Sequence, residues 1–484
     1  MKILNPEQAT HAAHRQARRK HWNEVAKNSD LKNSRNWSRY YHKRVTQIYQ
    51  FIVAPGKSIL EIGCGQGDLL AALKPARGVG VDFSEEILCR AREKHPELHF
   101  LQADAQSLAL NTTFDVIILS DLVNDVWDVQ TLLEQLSRLA TPRTRLLLNM
   151  YSRLWEQPLA LTKRFGLAKP TLYQNWLTVE DITNLLYLAD FEVIQQRQEI
   201  IWPFSTPFLD LFFNHFLVKL WPFNQLALTN LIVARLQQQK KHLSQEPLVS
   251  VVIPARNEAG NIPQIFKRTP KLGRGTELIF VEGHSKDDTY AVIAQESTKH
   301  PECQCKLLKQ TGIGKGDAVK LGFAHAEGEI LMILDADLTV PPEDLPRFYN
   351  ALLTGKGDFI NGVRLVYPME KRAMRFLNLV GNKFFSLAFS WLLGQSIKDT
   401  LCGTKALWKK DYALIAANRA YFGDFDPFGD FDLLFGAAKL NLKIVDLPIR
   451  YRERAYGETN IHRWKHGWLL LKMASFAARR IKFV

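Results

Sequence analysis

The chain reads as an α/β protein of two domains, each built around its own largely parallel sheet. Three observations predict this. Short apolar strands alternate with helical patterns in two separate stretches, one from Lys57 and one from Leu248, as βαβ units require. Each stretch opens with a strand running into a distinctive turn, Glu61-Ile62-Gly63-Cys64-Gly65-Gln66-Gly67 in the first and Val252-Ile253-Pro254-Ala255-Arg256-Asn257-Glu258 in the second. Between them, Leu236–Pro247 (LQQQKKHLSQEP) is polar, free of large apolar clusters and closed by proline, which marks a linker. The expected layout is a first domain over 1–236, a linker over 237–247 and a second domain over 248–484. With 484 residues, 46% of them hydrophobic and 23% charged, the chain can bury two cores and implies no large disordered region.

In chain order, residues 1–50 read as basic helical segments. Strands follow at Ser58–Ile62, Gly78–Val81, Phe114–Leu119 and Arg145–Met150, each succeeded by a helical pattern. Phe191–Ile201 and Leu226–Arg235 are two further strand-like runs placed to close the first sheet. The second alternation has strands at Val249–Ile253, Glu277–Val281 and Ile330–Leu334.

No window reaches eighteen uninterrupted apolar residues, so no spanning helix is expected. Trp202–Leu220 and Phe376–Leu393 come nearest, and each reads either as a helix lying in a membrane interface or as a core helix. The net charge of +14 is concentrated at the ends. Residues 1–50 carry eleven Lys/Arg against three acids, and residues 448–484 carry nine against two, with tryptophans and tyrosines interleaved. Such ends suit an anionic membrane surface, phosphorylated substrates or nucleic acid, or form a solvated basic face. The tail Arg463–Val484 is amphipathic as well as basic, which favours the membrane surface; His462 and His466 read as surface residues of that tail. Five scattered cysteines and a polar N-terminus without an apolar leader predict a reducing, cytoplasmic setting. Cys303-Gln304-Cys305 lacks a second pair and reads as incidental rather than metal-binding.

The first turn places three glycines where a strand passes into a helix, so that backbone can approach a bound ligand. Alone, this pattern also fits a dinucleotide site. Its context is sharper: Asp82 ends the next strand, where a carboxylate can accept ribose hydroxyls; Ala103-Asp104-Ala105 follows a third strand; Ser120-Asp121 ends the fourth. Each acid taken singly could equally cap a helix. Over roughly residues 20–236 this arrangement resembles the class I S-adenosylmethionine-dependent methyltransferases. The resemblance implies a Rossmann-like sheet and cofactor contacts at Glu61, Gly63, Gly65, Asp82, Asp104 and Ala105, with Ser120 and Asp121 lining the methionine end. Asn124, Asp125, Asn149, Tyr151 and Trp155 lie just past strand ends, where an acceptor would sit, and no motif assigns a base among them. No Asn-Pro-Pro-Tyr signature is present, which tells against amine methylation of nucleic acid.

In the second stretch, Asp335-Ala336-Asp337 follows an apolar strand, and paired carboxylates there can hold a hard divalent cation that neutralises a diphosphate. Three further segments accompany it in order: Val252 to Glu258, Val281-Glu282-Gly283-His284-Ser285-Lys286-Asp287-Asp288-Thr289, and Gly314-Lys315-Gly316-Asp317-Ala318. Together these resemble the family 2 glycosyltransferases of the GT-A fold over residues 248 to about 465. Asp337-Leu338-Thr339-Val340-Pro341-Pro342-Glu343, Asn361-Gly362-Val363-Arg364, Asp399-Thr400-Leu401-Cys402-Gly403-Thr404-Lys405 and Tyr451-Arg452-Glu453-Arg454 bring the closer likeness to dolichyl- or polyprenyl-phosphate hexosyltransferases. By resemblance, Pro254, Glu258 and Asp287 cradle the nucleoside, Asp335 and Asp337 serve Mg²⁺ or Mn²⁺ and the diphosphate, and Arg364 and Arg452 meet phosphates. Two departures stand out, Glu282 in place of the usual aspartate and His284 before Ser285. The Gln-x-x-Arg-Trp motif of processive synthases is absent, which points to transfer of a single sugar.

The acceptor decides whether a base is needed. A hydroxyl acceptor requires one, for which Asp430 or Asp432 is the candidate; a phosphate monoester, with its second pKa of about 6, is already ionised. Asp430 and Asp432 read equally as N-caps of the following helix, and Lys315 either reaches a phosphate or sits on a loop. The expected protein is thus a bifunctional enzyme, peripheral on the inner face of a membrane. One domain transfers a mannose- or glucose-type hexose from a GDP- or UDP-sugar to polyprenyl phosphate, and the other methylates a sugar or lipid-linked glycan with S-adenosylmethionine. The alternatives are transfer to a hydroxyl in surface-polysaccharide assembly and, least favoured, RNA binding and modification.

Overall fold

The computed structural model describes residues 16–23, 36–164, 174–237, 245–364, 376–419, 429–449, 451, 452, 454, 456 and 463–483. The chain divides into two compact units, Met1–Gln237 together with Phe483–Val484, and Gln238–Lys482. Most of the segment expected to be the linker lies outside the described residues, as do much of the basic N-terminus, His462 and the side chain of His466.

The first unit holds seven strands, β1 (Ser58–Ile62), β2 (Arg77–Asp82), β3 (His99–Gln102), β4 (Val116–Ser120), β5 (Arg145–Tyr151), β6 (Phe191–Glu199) and β7 (Thr229–Leu236). Their order is β3-β2-β1-β4-β5-β7-β6. Strands β1 to β5 are parallel, and β7 runs antiparallel to both β5 and β6. The chain winds outward from β1 and then returns to β4, so a crevice opens at the carboxyl ends of β1 and β4, where open α/β sheets bind ligands. Alternate strand residues feed two cores: Leu60, Ile62, Ile117 and Leu119 one face, Ile59, Val116 and Ile118 the other.

Its helices are α1 (16–23), α2 (Asn36–Ile52), α3 (Asp68–Ala72), α4 (Glu85–Lys94), α5 (Val129–Arg138), α6 (Glu156–Arg164) and α7 (Val179–Leu188). Helix α2 buries Tyr41, Val45, Ile48, Tyr49 and Ile52, a single stripe at helical spacing. Ser84 and Asp128 cap α4 and α5 through side chains that accept from Ile87 and Thr131 N–H.

Strand β6 stops at Glu199, short of the expected Ile201, because Ile200 takes a positive φ of 63°. The helix expected over Trp202–Leu220 is not continuous. Pro203 and Pro207 break it, leaving the single turn α8 (Leu209–Leu211), a π turn at Phe212–Phe216 and a 3₁₀ turn at Leu217–Lys219. Asn214 ties the segment down, accepting Trp202 N–H at 2.8 Å and donating to the Tyr40 phenol at 3.0 Å. Lys219 pairs with Glu199 in the interior, the two 7% and 2% exposed.

The second unit repeats the plan with β8 (Leu248–Ala255), β9 (Gly275–Glu282), β10 (Gln304–Lys309), β11 (Ile330–Ile333), β12 (Phe359–Val363), β13 (Lys405–Trp408) and β14 (Ile444–Pro448). The order is β10-β9-β8-β11-β13-β12-β14, with β13 antiparallel to β11 and β12. Four of these strands carried no sequence boundary. Strand β10 is a polar edge strand (QCKLLK), and Cys303 and Cys305 at its start pack against the core; β13 is only four residues long. Helices α9 (Ile262–Arg268), α10 (Thr289–Lys299), α11 (Lys315–His325), α12 (Leu345–Leu353), α13 (Phe376–Leu393), α14 (Lys409–Ala417), α15 (Asp430–Lys439) and α16 (Arg463–Ala477) cover the sheet. Val252, Leu331 and Ile333 face one core and Val251, Ile253, Ile330 and Met332 the other.

Candidate active sites

In the first unit, Gly63, Gly65 and Gly67 all adopt positive φ, at 73°, 53° and 77°, so the turn between β1 and α3 needs glycine at each. A side chain built on Gly65 would meet nothing within 4 Å, which leaves open space against that stretch of backbone. The Asp82 carboxylate braces the turn: Oδ2 accepts Gly65 N–H at 3.1 Å and Oδ1 accepts Ser84 N–H at 3.0 Å. Each oxygen keeps a second lone pair for a ligand hydroxyl. Burial raises the Asp82 pKa despite these amides. Glu61 is more deeply placed, 3% exposed, and its Oε2 is buried without a hydrogen-bond partner. Burial pushes its pKa up to about 8. An orphaned carboxylate oxygen beside an open glycine turn fits a ligand bearing an ammonium or hydroxyl group. Asp104 closes its own loop by accepting Gln106 N–H at 2.9 Å, and Ala105 packs against the core beside it.

Asp121 sits just past β4 with a φ of 53°. Its Oδ1 accepts the Tyr41 phenol at 2.8 Å and the Asn149 amide at 2.6 Å. Of the other acceptor-side candidates, Asn124 serves the scaffold, accepting Tyr151 N–H at 3.1 Å and donating to the Asn175 carbonyl at 2.7 Å. Asp125 pairs with Arg18 of α1 at 2.7 Å, and Trp155 donates to the Leu226 carbonyl at 2.9 Å.

In the second unit the two motif carboxylates are each matched to a cation from a different element. Asp335 pairs with Lys315, the first residue of α11. Burial opposes both charges, but the pair outweighs it: the Lys315 pKa is held above its ordinary value and the Asp335 pKa below. Asp337 accepts Arg454 Nη2 at 2.6 Å through one oxygen, and Thr339 N–H at 3.1 Å and Oγ1 at 2.8 Å through the other. Arg454 also reaches Glu258 at 3.4 Å, whose pKa burial pushes up to about 7 against the pull of that guanidinium. Gly403 passes so close to the first pair that a Cβ there would stand 2.1 Å from both Asp335 Oδ2 and Lys315 Nζ.

Asp430 and Asp432 do not cap α15. Gly429 occupies the cap position with a φ of 74° and no side-chain cap bond. Asp430 instead pairs with the fully buried Lys405 at 2.8 Å, and Asp432 with Arg419 at 2.7 Å. Arg364 is bound to Asp399 through two contacts of 2.7 and 2.9 Å and lies 5.2 Å from the Tyr451 ring centre. Asp287 closes its turn by accepting Ala259 N–H at 3.3 Å and Thr289 N–H at 3.2 Å. Pro254, the penultimate residue of β8, is half-buried, and Arg452 binds the Thr339 carbonyl through its backbone N–H at 2.9 Å while its side chain stays exposed. Glu282 accepts Ser285 N–H at 2.5 Å, so the longer acid closes the turn that His284 extends with a φ of 58°.

Sequence reasoning did not single out Arg454 or Lys405. Both stand inside motifs that carry the resemblance, but the reach of Arg454 to Asp337 is set by the folded chain, and Lys405 resembles any strand lysine until its burial is known.

Residues 37–196 match the family model of a methyltransferase domain, and residues 250–413 match that of glycosyl transferase family 2. Among curated proteins, undecaprenyl-phosphate 4-deoxy-4-formamido-L-arabinose transferase of Klebsiella pneumoniae is 25% identical over 217 residues, covering 44% of this chain and 62% of that one. The protein of the same description from Enterobacter sp. is 26% identical over 220 residues, with the same coverage of 44% and 62%. The chain therefore spans about 62% of the length of the curated relatives it matches. Among solved structures, glucosyl-3-phosphoglycerate synthase of Mycobacterium tuberculosis is 20% identical, covers 49% of this chain and 80% of its own, and has a TM-score of 0.36. A SAM-dependent methyltransferase of Thermotoga maritima is 17% identical, covers 41% and 93%, and has a TM-score of 0.32. One stretch of the chain thus matches a methyltransferase domain and a second, separate stretch matches glycosyl transferase family 2.

Proposed function

We propose that the second domain transfers a hexose from a GDP- or UDP-sugar to polyprenyl phosphate, and that the first methylates a sugar or lipid-linked glycan using S-adenosylmethionine. The observation that carries the acceptor assignment is the pairing of Asp430 with Lys405 and of Asp432 with Arg419. Both carboxylates are buried and already engaged by a cation, so neither is presented to an acceptor hydroxyl. A phosphate monoester, with its second pKa of about 6, arrives ionised and needs alignment and positive charge instead. The likeness to an undecaprenyl-phosphate sugar transferase supports the same choice.

Asp335 and Asp337 are the residues that would hold Mg²⁺ or Mn²⁺, since both are hard oxygen donors that already attract a cation. The metal would neutralise the diphosphate. Lys315 and Arg454, displaced from the carboxylates, would be left to meet phosphate oxygens, with Glu258 and Asp287 on the nucleoside side. In the first domain, Glu61, the Gly63–Gly67 turn, Asp82, Asp104 and Ala105 would hold S-adenosylmethionine. Its sulfonium supplies an electrophilic methyl group.

The surface of the second domain supports a site of action at a membrane. Helix α16 packs against α13 through one core, and the pair presents Phe384, Leu387, Trp468 and Leu471 outward beside exposed Lys383, Lys472, Arg479 and Arg480. Among the described residues no helix is long and apolar enough to cross a membrane. This surface supports peripheral binding to anionic lipid on the cytoplasmic face.

The test is mass spectrometry of the organic phase after incubation with polyprenyl phosphate, Mg²⁺, pooled GDP- and UDP-hexoses and S-adenosylmethionine. The expected product is a lipid-phosphate-hexose, lost on chelation. Nucleotide-sugar consumption only with a hydroxyl-bearing glycan would sink the phosphate-acceptor reading.

A further inference from the structure

The polar network around Asp121 has a direction. Thr229 Oγ1 lies 3.3 Å from the Tyr41 phenol oxygen and donates to it, which leaves the Tyr41 hydroxyl proton for Asp121 Oδ1 at 2.8 Å. On the other side, the Tyr49 phenol donates to Asn149 Oδ1 at 2.8 Å, so the Asn149 amide nitrogen is the end that faces Asp121 Oδ1, at 2.6 Å. Four residues from α2, β5 and β7 thus deliver two protons to a single carboxylate oxygen. Tyr41, Tyr49 and Asn149 are 6%, 0% and 0% exposed, whereas Asp121 is partly open. Among the described residues, none donates a hydrogen bond to its Oδ2 and no cation pairs with the carboxylate. The backbone is held in the left-handed region, anchored by Asp121 N–H to the Asn149 carbonyl at 3.2 Å. An aspartate held in the left-handed region with one oxygen saturated and the other presented to a crevice is organised for function rather than packing.

We infer that Asp121 is the proton acceptor of methyl transfer, taking the hydroxyl proton of the acceptor on Oδ2 while Tyr41 and Asn149 fix Oδ1. This rests on reading the first domain as a methyltransferase that uses S-adenosylmethionine on a hydroxyl. In the step, the acceptor oxygen bonds to the methyl carbon as the carbon–sulfur bond breaks. The electron pair of that bond stays on sulfur, which becomes a neutral thioether. The proton passes to Asp121 and then to water.

The surrounding charges suit the role. Glu61 of β1 acts on Tyr49, Tyr151 of β5 lies beside Tyr41, and Asp125, paired with Arg18, is the acid that acts on Asp121. Burial pushes the Asp121 pKa up to about 7, Tyr41 and Asn149 pull it down, and Asp125 adds to the rise. A base of that strength is partly ionised at neutral pH and still accepts a proton readily.

The experiment uses full-length wild type, Asp121→Asn and Tyr41→Phe. Each is titrated calorimetrically with S-adenosylmethionine and S-adenosylhomocysteine across the neutral range, and incubated with methyl-tritiated S-adenosylmethionine and a lipid-linked glycan extract. In Asp121→Asn the amide oxygen still accepts both donors, so affinity for the neutral S-adenosylhomocysteine should stay within about threefold while transfer falls at least ~100-fold. The wild-type rate should rise with pH through about 7. Loss of the Tyr41 donor should move that rise upward by about one pH unit. Wild-type preference for the charged sulfonium over the neutral thioether should strengthen over the same interval, and Asp121→Asn should abolish that dependence. Transfer by Asp121→Asn within about threefold of wild type, or the same pH slope of donor preference in both proteins, would overturn the inference. If the extract accepts no label, the donor-preference titration decides alone. Failure of wild type to bind either donor would sink the reading of the domain itself, and the inference with it.

Discussion

Glu61 is the residue whose chemistry departs most from its sequence appearance. As the last acid of a strand it looks like a ligand contact, yet without a ligand it is a buried carboxyl with one unpartnered oxygen and a pKa near 8. The folded value lies above the unfolded one of 4.5, so the unfolded chain ionises first as pH rises. The ligand-free domain should therefore lose stability between about pH 4.5 and 8, and Glu61→Gln should flatten that slope. Thermal unfolding at both ends of the interval checks this on the transition that S-adenosylmethionine raises. Binding of the cofactor ammonium should also expel a proton from Glu61 near pH 7, seen as a binding enthalpy that varies with buffer ionisation in wild type more than in Glu61→Gln. In the second domain, Arg454 bridges Asp337 and Glu258, so Arg454→Met should cut glycosyl transfer by roughly 10- to 100-fold. Arg452→Met, whose side chain is exposed, should cost less. Steady-state rates on the two variants rank them, and the reverse order would restore Arg452 as the phosphate ligand. The motif displays both arginines equally; only the folded chain decides which one arrives.

At the level of elements, legibility followed the strength of the periodic signal. Strands β1, β4, β5, β8 and β11 are central and buried on both faces, so their apolar runs mark them plainly, and the site motifs at their ends were placed with them. Strands β10 and β13 were illegible, the first because an edge strand alternates weakly and the second because four residues carry no period. The segment between β6 and β7 misled for another reason: its aromatic richness imitates a helix, while Pro203, Pro207 and a buried ion pair set its path. That pair makes a prediction. Glu199 lies between Lys219 and Arg44, and although burial raises its pKa, those cations hold it below the ordinary value. Glu199→Ala would remove the carboxylate that two buried cations share and should destabilise the first domain by about 3 kcal/mol, read from its denaturant midpoint. In the second domain, the close passage of the turn before β13 predicts that Gly403→Ala forces Asp335 and Lys315 apart. Glycosyl transfer should fall at least ~100-fold. Methyl transfer by the same chain should remain unchanged, which separates a local effect from unfolding.

Over the whole molecule, positive charge is concentrated at the two ends of the sequence and the stretch between them is nearly neutral. The net charge of +14 resides in residues 1–50 and 448–484, and the second group continues into α16, where Trp468 and Leu471 are 63% and 43% exposed beside Lys472. Basic charge alone would bind lipid, RNA or any polyanion, and its affinity would simply decay with salt. Exposed apolar side chains add a component that salt does not screen. The two contributions can be separated by cosedimenting the full chain with vesicles of phosphatidylcholine and phosphatidylglycerol as salt is raised. Binding should weaken as the Debye length falls from about 10 Å to about 3 Å between 0.1 and 1 M salt, leaving a residual bound fraction. Trp468→Ser with Leu471→Ser should remove that residue while leaving the low-salt binding largely in place. Complete release of wild type by salt, or no binding even at low salt, would mean that the apolar face of α13 and α16 does not meet lipid, and a polyprenyl acceptor would then have to be drawn from the bilayer by other means.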